Sequence, residues 1–414
     1  MSDPSTLEAL MRELRSFNQF GKSTVRLVVR FRTDAGDLQV PVFVNEFWTA
    51  KQRAANRLHE ISYRACFKPQ LPRFFITRLT KPGELVLDPF MGRATTLIEA
   101  ALLGRVPIGC DINPLSLLLG RPRLRPPTQD QVAQRLKEID FGEVDDMPNE
   151  LLAFYHPETL KEICALKKYL IARRSRAEMD AVDEWIWMVA LNRLTGHSPG
   201  FFSVYTMPPN QAVPLRRQIK LNEERNQAPE RRFVPDLILK KTRHLLRGCD
   251  DETRRILGGV SADARLLTNH AADTPEISPG SVSLVVTSPP FLNVVDYAGD
   301  NWLRCWFAGI DPDSVHLTNL RKVEDWQHAM TSVFRELRRV LRPGGHVAFE
   351  VGEVRNGTIK LEEAVLPCGV QAGLTPVLVL IHDQKFSKTS HCWGQENNHK
   401  GTNTNRIVLF RKAS

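Results

Sequence analysis

Short apolar runs that stop abruptly at turns mark both ends of this chain, and longer helical patterns fill its middle. The run Leu85-Val86-Leu87 stops at Asp88-Pro89-Phe90-Met91-Gly92 and is followed by an apolar helical pattern over 97–103. The run 106–110 stops at Asp111, and 283–286 stops at Thr287-Ser288-Pro289-Pro290-Phe291. Each reads as a strand entering a tight turn. Two consecutive prolines donate nothing to a ladder, so the last of these strands must end in a rigid turn that exposes carbonyls. Downstream, 333–341 predicts an amphipathic helix closed by Arg342-Pro343-Gly344-Gly345, 346–352 the next strand, and 377–381 with 406–410 a closing antiparallel hairpin. The N-terminal stretch predicts a polar helix up to Phe17, a hairpin of 24–32 and 38–44, and a helix over about 49–66. After a linker at 121–127 the strand pattern disappears until Val260; helices over 151–174 and 177–194 are expected there, with Trp185 and Trp187 in their core.

The candidate chemistry sits where the runs end. The Ser288 hydroxyl, the Pro289 carbonyl, the stiffening Pro290 and the flat ring of Phe291 can together hold an exocyclic amine by its N–H donors and stack on its base. Gly92 lets the backbone approach a ligand closely, and Thr95 or Thr96 can cap the helix that follows. Asp111 stands 23 residues beyond Asp88, an offset at which an acid in a doubly wound unit takes ribose hydroxyls. The glycines do not follow G-x-G-x-x-G. An adenosyl ligand without phosphates therefore fits better than a dinucleotide.

On these residues the chain resembles the amino DNA methyltransferases that use S-adenosylmethionine, in particular the branch methylating cytosine N4. Asp88 to Gly92 resembles their motif I, Asp111 their motif II acid, Asp263-Ala264-Arg265 their motif III, and Thr287 to Phe291 their motif IV. Upstream, 59–63 and 68–72 resemble motif X, which covers the methionine end of the cofactor. The resemblance spans roughly residues 47 to 120 and 256 to 414. It implies an α/β, Rossmann-like core of seven strands, with a helical insertion and an N-terminal hairpin extension. The domains would then be the extension (1–48), the first half of the core (49–120), the insertion (121–255) and the second half of the core (256–414).

The implied cofactor is S-adenosylmethionine, held by Tyr63, Lys68, Pro69, Asp88, Pro89, Phe90, Gly92, Thr95, Thr96, Asp111, Asn113, Asp263, Ala264 and Ser288. Asp88, Asp111 and Asp263 would orient its methionine amine, ribose and adenine amine, while Ser288, Pro289, Pro290 and Phe291 form the catalytic turn. The implied partner is DNA, with a cognate restriction endonuclease as a further one. A base buried in a duplex cannot reach the cofactor, so it must be flipped out or presented single-stranded. Ser288 at the first motif IV position biases the target toward cytosine N4. Adenine N6, an RNA base and a non-catalytic DNA-binding relative are the alternatives. Ala94 departs from the family, which usually has glycine there.

Charge adds a second candidate surface. The net charge of +9 favours a polyanionic partner, and residues 215–247 alone carry +6, with ten Lys/Arg against four acids. Within them Arg216, Arg217, Lys220, Arg231, Arg232, Lys240 and Lys241 are the candidate nucleic-acid contacts. The rival Pro-Pro turn at 206–210 lacks a following aromatic and reads as a structural or DNA-facing loop. The polar stretch 384–405 reads as a candidate lid. The seven cysteines form no C-x-x-C pair and no Cys/His ligand spacing, so they are expected to be reduced and no metal is proposed. With no secretory start and no apolar run of spanning length, a cytoplasmic location is expected and no membrane partner.

Overall fold

In the computed structural model, residues 4–33, 36–49, 55–64, 66–142, 144, 146–208, 212–290, 297–311, 320, 322–354, 359–383 and 404–413 are described. The chain opens with α1 (Pro4–Ser16), β1 (Val25–Thr33) and β2 (Gly36–Asn45). Then follow α2 (Gln70–Leu79), β3 (Leu85–Asp88), α3 (Thr95–Leu102), β4 (Val106–Cys110) and α4 (Leu115–Gly120). Next come α5 (Gln129–Glu138), α6 (Pro157–Ser175), α7 (Ala181–Leu191), α8 (Leu215–Arg225), α9 (Val234–Leu245) and α10 (Asp251–Ser261). The second half holds β5 (Arg265–Leu267), β6 (Val282–Thr287), α11 (Tyr297–Ala308), α12 (Val323–Val340) and β7 (Leu341–Val351). It closes with the short pair β8 (Glu353–Val354) and β9 (Ile359–Lys360), then α13 (Leu361–Gln371), β10 (Thr375–Asp383) and β11 (Thr404–Arg411).

One sheet in the order β1-β2-β10-β11-β7-β6-β3-β4-β5 organises these elements. The stretch from β7 to β5 is parallel, and β11 runs antiparallel between β7 and β10. Seven of the strands make the expected α/β core. The sheet has nine because the N-terminal hairpin does not stand apart: β2 pairs in parallel with β10, Val42 opposite Val379 and Val44 opposite Ile381. Alternation explains the docking, since Val40 and Val42 enter one face of the sheet beside Val379 and Phe410, while Phe43 enters the other beside Leu378 and Leu380.

The insertion has its own apolar centre. Trp185 and Trp187 on α7 are almost fully buried, packed with residues of α6 and α9, as the sequence predicts. The helix expected over 151–174 is shorter, α6 starting at Pro157 with the His156 side chain accepting from the Glu158 N–H. The expected turn at 342–345 is not outside the sheet: β7 begins at Leu341, directly after α12, and 342–345 bulge out because Val282 pairs with Leu341 while Leu284 pairs with His346.

The helix expected over about 49–66 is a correction. Its described part forms only a 3-10 turn, Arg57–His59, and continues as an irregular strap to α2. The reason lies in its carbonyls, which cationic side chains take in place of helical N–H groups. Leu58 O accepts from Arg123, Glu60 O from Lys241, Ile61 O from Arg93 and Ser62 O from Arg304, at 2.6–3.2 Å.

Candidate active site

The strand order reverses at β3, whose neighbours are β4 on one side and β6 on the other. A ligand crevice forms outside the carboxyl ends of strands at such a point. Asp88 closes β3 there, almost fully buried, and accepts from the Thr287 hydroxyl at 2.6 Å and the Phe90 N–H at 3.1 Å. Burial pushes its carboxyl up to about 7 against those bonds. Asp111, one residue past β4, accepts from the N–H groups of Gly92 at 2.8 Å and Asn113 at 2.9 Å. It keeps part of its surface open, yet enough protein surrounds it for desolvation to raise its pKa as well. Among the described residues neither acid has an ion-pair partner.

The turn between them is built by backbone conformation. Gly92 lies at φ +47°, and a Cβ there would come within 3.7 Å of the Tyr63 ring. Ala94 is also left-handed, at φ 59° and ψ 40°, a conformation in which glycine, the usual residue here in the methyltransferases the sequence resembles, is the least strained. Neither threonine caps α3, contrary to expectation. The Thr95 hydroxyl accepts from Arg93 Nε, and the Thr96 hydroxyl donates to Val286 O at 3.0 Å, tying α3 to β6. Pro89 is buried and Phe90 half-buried against the α12 side of the sheet. Asn113 caps α4 through the Leu115 N–H, a local structural role.

The strap lies over this turn. Tyr63 is buried beside Gly92, Pro69 precedes α2, and burial lowers the Lys68 pKa. His59 Nε2 meets Glu99 at 2.9 Å and Arg73 donates to the same carboxylate at 2.8 Å. Burial opposes the Glu99 charge, but His59 and Arg73 hold its pKa below the usual carboxylate range; burial keeps His59 itself low. Sequence reasoning missed Arg93, Arg123 and Arg304, the buried cations that fix the strap. An arginine among apolar residues next to motif I was the only signal for the first.

On the other side of Asp88, β6 ends at Thr287 and delivers Ser288-Pro289-Pro290 to the same crevice. Trp326 Nε1 donates to Pro290 O at 3.0 Å, pinning the turn. Phe291 lies outside the described residues, as do 384–403 of the candidate lid. Asp263 and Ala264 are corrections. Arg265 pairs with Ile108 and Leu267 with Cys110, so Asp263 stands before the amino end of β5, exposed and roughly 10 Å of strand away from the acids' end. The helix α10 extends to Ser261 and consumes residues that the sequence suggests for a strand. Thr268 and Asn269 occupy the carboxyl end instead, where Asp111 N donates to Leu267 O and Cys110 Sγ to Asn269 O.

The basic candidates of the insertion divide. Arg216, Arg217, Lys220 and Lys240 are exposed, with Arg217 and Lys220 loosely near Glu224 at 3.9 and 3.7 Å. Arg231 is held by Glu162 at 2.5 Å and Arg232 by Glu230 at 2.9 Å. Lys241 donates to Glu60 O at 2.6 Å, and burial brings its pKa down to about 7. These last three side chains already have protein partners. In the rival turn, Thr206 is buried and donates to Val204 O, a structural role for its described part. Among the described residues there is no helix long and apolar enough to cross a membrane and no cluster of metal-ligating side chains.

A family model described as DNA methylase matches residues 31–117, which carry the strap, Asp88, Gly92 and Asp111. That match covers 87 of the chain's 414 residues. The chain is similar to the type II methyltransferase M.MjaII of Methanocaldococcus jannaschii, 38% identical over 77 residues, 19% of this chain and 14% of that one. It is 30% identical to M.MvaI of Kocuria varians over 102 residues, 24% of this chain and 21% of that one. A longer likeness, 20% identical over 373 residues, covers 81% of this chain and 72% of M.BsoBI of Geobacillus stearothermophilus. The first two likenesses thus span less than a quarter of those relatives.

Proposed function

We propose that this chain transfers a methyl group from S-adenosylmethionine to an exocyclic amine of DNA, with cytosine N4 as the target. The observation that carries the reading is the 2.6 Å bond from Thr287 to Asp88, which joins the first residue of the motif I stretch to the first of the motif IV stretch in one crevice. The residues present fit the cofactor. Two enclosed carboxylates with no ion-pair partner among the described residues suit a ligand bearing an ammonium and a diol, and raising Asp88 to about 7 leaves its anion disfavoured by on the order of 4 kcal/mol until a cation arrives. Asp88 would hold the methionine amine, Asp111 the ribose hydroxyls through its remaining lone pairs, and Tyr63 would close over Gly92. Asn269 replaces Asp263 as the candidate near the adenine.

When bound, the cofactor supplies an electrophilic methyl group on sulfur. The chain's part is to position the amine, whose lone pair is delocalised into the base. The Ser288 hydroxyl and Pro289 carbonyl accept its two N–H groups, and Pro290, fixed by Trp326, keeps those acceptors still. Phe291 would stack on the flipped base. Positioning supplies most of the acceleration. The test is labelled methyl transfer to duplex DNA followed by mass spectrometry of the nucleosides. N4-methylcytosine is the expected product, lost in Ser288→Ala with cofactor affinity retained. N6-methyladenine would overturn the choice of base, and cofactor binding without transfer to any DNA would overturn catalysis.

A further inference from the structure

A second buried acid borders the Ser288 turn, and no sequence motif accounts for it. Glu350 sits at the carboxyl end of β7, 4% exposed. Thr287 pairs with Phe349 across the parallel strands, so the next residues, Ser288 and Glu350, stand level. The Glu350 carboxylate is hydrogen-bonded to the Ser288 hydroxyl and accepts from Asn405 Nδ2 at 2.9 Å. Desolvation raises its pKa above the ordinary carboxylate value, against the lowering effect of those two bonds. Charged neighbours are otherwise engaged: Arg406 on β11 is bound by Glu362 of α13, and Asp88 on β3 is bound by Thr287. On β10, His382 Nδ1 accepts from the Phe47 N–H.

We propose that Glu350 is a positioning residue and proton sink acting through Ser288, an inference that rests on the methyl-transfer reading. An ionised Glu350 accepts the Ser288 O–H, which turns a lone pair of Ser288 Oγ toward the target amine. As the nitrogen–methyl bond forms and the sulfur–methyl bond breaks, the amine becomes cationic. One N–H proton then passes to Ser288 Oγ while the original Ser288 proton passes to Glu350, and the N–H electron pair returns to nitrogen. The product amine is neutral, the serine is restored, and Glu350 leaves the cycle protonated, to be discharged to solvent.

The experiment is single-turnover methyl transfer to DNA between pH 5.5 and 9 at saturating cofactor, which keeps Asp88 ionised, together with calorimetric cofactor affinity. Wild type should lose rate as pH falls through the Glu350 pKa. Glu350→Gln, which keeps the side-chain shape and an acceptor for Asn405, should lower the plateau rate about 100-fold, the scale of general-base catalysis, and abolish the acid limb without changing cofactor affinity. Glu350→Asp should recover the limb in part. A purely structural residue would change rate without changing the shape of the profile. An active wild type whose acid limb survives in Glu350→Gln overturns the role of Glu350 and leaves the methyl-transfer reading standing. A wild type that binds cofactor but methylates no DNA overturns both.

Discussion

The acids at the strand ends and the bases of the insertion show opposite treatments of charge. Asp88 and Asp111 are enclosed by protein, yet neither has a cation among the described residues, and only hydroxyl and N–H donors soften their burial. Arg231, Arg232 and Lys241 are partly exposed residues that nevertheless have protein partners. An enclosed charge lacking a counterion holds unfavourable energy that a ligand can release, whereas a charge already paired has little to offer one. Counting charges along the sequence therefore locates a basic region but overstates the number of its bases that are free.

The largest effect that sharpens this contrast is expected at Asp88. In Asp88→Asn, cofactor affinity should fall by about 10- to 150-fold at pH 8, the 1.5–3 kcal/mol typical of a charged hydrogen bond. Wild-type affinity should weaken as pH drops below about 7, because an ammonium group binds the ionised carboxylate, and calorimetry on the variant should show no such slope. Stability should move the other way. A carboxyl raised in the folded state stabilises it fully below the unfolded pKa and loses that contribution as pH rises through about 7. Asp88→Asn should consequently melt above wild type at pH 8, and a variant that lost stability there would contradict an acid strained by burial.

Next in size is the division among the bases. Neutralising the exposed Arg216, Arg217, Lys220 and Lys240 should weaken target and non-target DNA alike and lower the salt slope by about 0.9 for each phosphate left without its cation. Melting temperature should hardly change. Arg231→Ala should do the reverse, leaving the slope intact and costing about 1–2 kcal/mol, between the values for surface and buried pairs, because Glu162 loses its cation and keeps only the Val234 N–H. An equal fall in salt slope from both variants would mean that a base paired within the protein meets phosphates as readily as an exposed one.

The same contrast explains what the sequence could reveal. Asp88, Asp111 and Ser288 were legible because each directly follows an apolar run, and strand ends in a parallel sheet converge without further information. Trp185 and Trp187 were legible as core for a similar local reason. Asp263 was misplaced because the end of α10 and the three-residue β5 have no distinct pattern, and only the pairing of Leu267 with Cys110 shows which end of the strand faces the crevice. The strap defeated local reasoning entirely: its conformation depends on Arg93, Arg123, Lys241 and Arg304, the last lying 242 residues from its acceptor Ser62. Glu350 is likewise defined by neighbours on other strands.

The smallest effect concerns the turn itself, where two left-handed residues differ only in a methyl group. A non-glycine residue in that conformation costs roughly 1–2 kcal/mol, so Ala94→Gly removes a real strain. Two terms oppose the gain. Glycine releases more entropy on unfolding, about 0.4–1 kcal/mol. The Ala94 methyl is also completely buried with Leu97 and Met91, and a buried methyl contributes about 0.8 kcal/mol. The sum lies near zero, so Ala94→Gly should change stability by less than about 1 kcal/mol in denaturant titration. Gly92→Ala meets no clash, its Cβ finding the Tyr63 ring at an ordinary 3.7 Å, so the left-handed backbone cost of about 1–2 kcal/mol is offset by the same entropy term of about 0.4–1 kcal/mol. That variant should lose up to about 1.5 kcal/mol. A clear gain of stability in Ala94→Gly would mean that the Ala94 methyl contributes nothing, and that the departure from glycine at this position is uncompensated.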